Sequence, residues 1–219
     1  MKQVAKQLTE AAAWVVETAS RLSVRRDTAP IDTVERVCQF ARTRAAFVTQ
    51  KKLYGYLKER IGTRYPKMFD DEIFVESINI AKLEVFAAGL ADMTCFCVAN
   101  ATVGVDFTDE DRMAIARSCY SLGLEENAAS SDSRARWMNA FEDRLGKTVW
   151  RMTGENGNHF IESPGALVRW APIADELKRY DREIVENSIR FTWIEMRRDF
   201  LRRLEARAVA EDWQRSQAT

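Results

Sequence analysis

The sequence predicts an all-α protein of 219 residues, a bundle of six or seven helices around a central apolar helix at about 73–103. Three observations predict it. Glycine and proline are scarce, at nine and four residues, which leaves few turns for a many-stranded sandwich or barrel. Apolar residues recur at three- and four-residue steps over long stretches. Charge is laid out in blocks along neighbouring helical segments. From Arg36 to Lys67 nine Lys/Arg face one acid, Glu59, for a net of +8. From Asp70 to Asp111 ten acids face one base, Lys82, for a net of −9. Such segments are expected to attract each other or different partners.

The elements follow in order. Val4, Leu8, Ala11, Ala12, Val15, Ala19 and Leu22 mark a helix over 4–24, and its amphipathic pattern lacks the apolar run and cleavage site of a secretory signal. After the break at Asp27 to Pro30, Asp32 is placed to cap a helix to about Ile61, which Gly62 and Pro66 stop. Phe40, Phe47, Tyr54 and Ile61 repeat every seven residues in it, flanked by Arg44, Lys51 and Lys58. This is an apolar seam with a basic row beside it, and the row is the expected interaction surface. Asp70 or Asp71 caps the central helix. The short connection and opposite charges predict that it packs antiparallel on the preceding one.

Thr108 to Asp111 resembles a capping box for a helix to about Leu122. The small, polar stretch 125–133 reads as an exposed loop, and 134–145 as a helix. The segment 151–165 holds three glycines, two asparagines, a proline and the only histidine, so it reads as a polar surface loop, with Ser163 capping a short turn at Pro164. Pro172 opens a last helix to about Trp213, with a broad stripe running through Ile173, Leu177, Tyr180, Ile184, Val185, Ile189, Trp193, Met196, Phe200 and Leu204. Nothing divides the chain, so 1–219 is read as one helical domain.

Few residues carry a chemical signal. Asp92 and Asn100 fall on one side of the central helix and are expected to be a buried polar tie or a ligand site, with a basic or polar partner for Asp92. Val85 to Val105 is long enough to cross a bilayer, but Asp92 near its middle costs about 2.5–3.5 kcal/mol there. A central helix covered on every side is the preferred reading. A hydrolase would have to use His159, with Ser163 as the nearest nucleophile, yet Ser163 lacks the first glycine of a nucleophile elbow. No phosphate-cradling or dinucleotide glycine motif is present, and one histidine cannot supply a di-iron bundle. No cofactor or metal is therefore expected. Cys38, Cys95, Cys97 and Cys119 match neither a disulfide framework nor a zinc spacing, so all four read as small core residues in a reducing cytosol. Trp150, Trp170 and Trp193 are candidate interface anchors.

The leading expectation is a cytoplasmic helical interaction or adaptor protein, without catalysis, that binds another protein or a second copy of itself. Nucleic acid is disfavoured by the zero net charge. A small esterase-like hydrolase using His159 is the alternative, and a membrane-associated subunit anchored through 85–105 the third reading.

Overall fold

The structure, a computed structural model, describes residues 27–126, 130–155 and 157–217. The helix expected over 4–24 lies outside the described residues. Those described form an all-α bundle of seven helices, with an added single turn at Tyr65–Met68. They are α1 (Val34–Ile61), α2 (Glu72–Ala101), α3 (Asp109–Glu125), α4 (Ser131–Leu145), α5 (Ser163–Trp170), α6 (Asp175–Arg203) and α7 (Ala206–Gln217).

Local chemistry sets most of the ends. Thr33, one residue after the expected Asp32, caps α1 by accepting from Arg36 N. The Asp71 carboxylate caps α2 through Ile73 N and Phe74 N. Thr108 and Asp111 form the reciprocal capping box of α3. Ser130 caps α4, so the helix begins inside the stretch expected to be a loop. The expected last helix is two helices. Leu204 is extended, and Ile31 bridges the break, donating to Arg203 O and accepting from Glu205 N, both at 2.9 Å.

The antiparallel pair forms as expected. Gly62 to Phe69 reverses the chain, and α2 runs back along α1 with Gly89 beside Thr49. From Val85 to Ala101 nearly every α2 side chain is buried, because α1, α3, α5 and α6 all lie against it. This is why the segment is apolar all round. No helix among the described residues is long and apolar enough to cross a membrane, and of the anchor expected as an alternative at 85–105 the part from Val85 to Ala101 lies in the core of the bundle, while Val103 is exposed.

The charge blocks find different partners. Arg44 pairs with Asp199 at 2.9 Å and Arg60 with Asp181, both acids of α6, while Arg42 pairs with Glu126 at 2.8 Å. Glu84 and Asp92 of α2 take Arg136 and Arg144 of α4. Apolar burial therefore carries the α1–α2 contact. Arg44 is buried, with its guanidinium 4.6 Å from the Phe40 ring centre, so it leaves the expected interaction surface. Lys51 and Lys58 are exposed.

The cysteine reading needs a larger correction. Cys38 of α1 and Cys119 of α3 form a disulfide, with Cα atoms 4.6 Å apart. Cys95 and Cys97 are buried and free, as expected. Burial pushes the Cys95 thiol up to about 11, which keeps it protonated and unreactive.

Candidate functional site

The residues singled out in the sequence, apart from the basic row, converge on the chain between α4 and α5. This strap crosses the C-terminal half of α2, and two side chains of that helix hold it. Asn100 donates to Phe96 O at 2.8 Å, and its Oδ1 accepts from Gly154 N at 2.7 Å. Gly154 has φ +75, a conformation that glycine adopts without strain. Two turns earlier, Asp92 is fully buried. Its Oδ1 accepts from Arg144 Nη1 at 2.8 Å and from Ile161 N and Glu162 N at 3.2 Å, and its Oδ2 from Ser163 N at 2.8 Å. One carboxylate thus satisfies three backbone N–H groups where α5 begins, a region whose dipole favours negative charge.

Arg144 completes the arrangement. It donates to His159 O at 2.6 Å and lies 3.1 Å from a Glu162 carboxylate oxygen. Burial works against its charge, but Asp92 is the largest of the neighbours that outweigh it and raise its pKa. Burial raises the pKa of Glu162, and Arg144 only partly offsets that. Phe160 is buried with its ring centre 5.5 Å from Phe96 and 5.0 Å from Trp193. The expected surface loop is therefore docked through its centre, while Met152 and Ile161 remain exposed. Trp150 and Trp193 are likewise core residues, not interface anchors.

The candidate hydrolytic residues are both engaged in holding this strap. His159 is buried, and its Nε2 lies 2.7 Å from Met152 O. Burial lowers its pKa and keeps it neutral at neutral pH. Ser163 is fully buried, and its Oγ accepts from Trp193 Nε1 at 2.9 Å. It is the first residue of α5 and not its cap, since Asp92 does the capping. The arrangement fixes a strap against a core. It does not present a nucleophile beside a base.

A second feature was not separated from the core by sequence reading. The broad stripe expected on the last helix is two stripes on opposite sides of α6. Val185, Ile189, Trp193, Met196 and Phe200 are buried. Leu177, Tyr180, Ile184 and Phe191 are 43%, 72%, 73% and 71% exposed. The outer four stand at three-, four- and seven-residue steps, the spacing of a coiled-coil seam. That shift from the inner stripe was the available signal. Beside them, grooves of about 470 and 570 Å³ follow the α1–α6 junction and share Lys51. At the floor of the first, Asp181 accepts from Tyr56 Oη at 2.9 Å and pairs with Arg60. Lys58, further along α1, does not line either groove.

No protein family, curated protein or solved structure matches this chain.

Proposed function

We propose that the protein works by binding another polypeptide through the outer face of α6, without catalysis. The observation that carries this is the exposed Leu177–Tyr180–Ile184–Phe191 seam on a helix whose other side is already packed. Four large apolar groups in register form a surface suited to a helical partner. The hydrolase reading is weaker, because the one histidine is spent on Met152 O and the nearest serine on Trp193. A cytoplasmic location loses its cysteine argument once Cys38 and Cys119 are joined, since structural disulfides belong mainly to oxidising compartments.

The test is co-purification of the native protein beside Phe191→Glu, an exposed change that leaves the core intact. A stoichiometric polypeptide partner should be lost with the substitution, at unchanged helical content. The same preparations, with His159→Ala, are assayed on a panel of small esters. Turnover that vanishes with the histidine, or a partner that survives Phe191→Glu, overturns the proposal.

A further inference from the structure

We infer that the polypeptide bound by this face is a second copy of the chain, with the two α6 helices paired antiparallel; the inference rests on the binding reading and names its partner. The argument comes from the charges that flank the seam. On the α1 side the flanking residues Asp181 and Ser188 are taken up internally, by Tyr56 and Arg60 and by Lys52. On the open side the flanking positions, seven residues apart, are Glu176, Glu183, Arg190 and Arg197. Two acids are followed by two bases, so the row is complementary to itself when one copy is reversed. In a parallel pair it would face the α1-side row, where Glu176 falls to Asp181, Glu183 to Ser188 and Arg190 to Glu195, so one match is offset by one like-charge contact, and the reversed pair has no such contact.

Reversal about a point between Ile184 and Asn187 brings Tyr180 of each copy to Phe191 of the other, and Glu183 of each to Arg190 of the other. Both central groups are exposed, and among the described residues Arg190 bonds to Glu186 and Asn187 of its own helix, at 2.9 and 3.0 Å. Arg197 is tied to Glu155 O at 2.7 Å, so the central pair carries the pairing. The helix as a whole has the same asymmetry. Residues 175–186 hold five acids and three bases, and residues 190–203 five bases and two acids. The reversed copy also sets its acidic half over Lys51, on the lip of both grooves. Seam and rim therefore select the same orientation, as buried apolar positions and flanking charges do in coiled coils.

The experiment is sedimentation equilibrium of the full chain over a range of concentrations. Wild type should show a reversible monomer–dimer equilibrium, and Ile184→Glu should be monomeric with an unchanged far-UV spectrum. Glu183→Arg and Arg190→Glu should each weaken the dimer by about tenfold or more, because symmetry repeats each repulsion. The double variant Glu183→Arg/Arg190→Glu should recover most of that loss. A monomer at every concentration overturns the inference, whether residues 1–26 or a different protein takes the face. A double variant no tighter than the singles overturns the antiparallel pairing. A monomeric wild type that still loses a different partner on Phe191→Glu overturns self-pairing alone and leaves the binding reading standing.

Discussion

Asp92 shows what one buried carboxylate can hold. Its value lies in the four donors it accepts from: Arg144 Nη1, which Glu162 shares at 3.1 Å, and the N–H groups of residues 161, 162 and 163. Asp92→Leu would be neutral or stabilising if the role of Asp92 were only structural and its partner could be resolvated. Arg144 is itself buried, so that condition fails. Asp92→Leu should cost about 3–5 kcal/mol, the usual penalty for stranding one member of a buried pair. Asp92→Leu/Arg144→Leu should cost less than the sum of the two single changes, because the second removes the charge that the first left unpaired. Urea unfolding of the four proteins checks this. Additive costs would show that the two side chains are not coupled.

At the scale of elements, caps, periods and the antiparallel pairing of α1 with α2 were legible, and placements set by residues far apart in the chain were not. Asp71 and the Thr108–Asp111 box mark their helices because the cap is a local contact, written within four residues. The break at Leu204 was invisible because its cause is distant: Ile31 supplies the hydrogen bonds that end α6. The strap was misread for the same reason. Its composition is that of a surface turn, but Asn100 and Asp92 lie about 60 residues away in the chain and pull it onto α2. His159 sits inside this strap, and its titration should report on docking. Burial lowers its pKa below the ordinary 6.5, with the Met152 carbonyl opposing. The unfolded chain then takes the proton first, so stability is complete above about pH 6.5 and falls as pH drops toward the lowered native value. Glu162 acts oppositely in its own window. Its raised pKa favours the native state as pH falls toward 4.5, and this contribution is common to wild type and a His159 variant, so the histidine effect is read as their difference below about pH 6.5. There His159→Gln should unfold in urea with a shallower pH dependence than wild type. The difference is at most about 1.4 kcal/mol per pH unit, the limit for one proton. Identical slopes would mean that the imidazole titrates alike in both states.

For the whole molecule, the arrangement follows from one helix having to be covered on every side. α1 and α3 take two of those sides, and Gly123 of α3 comes so close to Leu90 that a Cβ there would lie 2.6 Å from Leu90 Cδ2. The Cys38–Cys119 disulfide fastens these two flanking helices together across a sequence separation of 81 residues. Nothing in the spacing of four cysteines reveals such a link, because connectivity depends on which helices become neighbours. Closing a loop of that length removes entropy from the unfolded chain worth roughly 4 kcal/mol on the chain-entropy account. Cys38→Ala/Cys119→Ala should therefore unfold at lower guanidinium concentration than oxidised wild type, with far-UV helicity retained. Two small buried side chains are also trimmed by that change, and a reductant separates the effects. Unfolding wild type in excess dithiothreitol should move its midpoint most of the way to that of the double variant, whereas the variant should not respond. Both sulfurs are buried in the native bundle, so the reductant must act on opened or unfolded molecules, and the shift should develop with unfolding and not on mixing. A wild-type midpoint that is the same with and without dithiothreitol would mean that Cys38 and Cys119 are not joined in the folded protein.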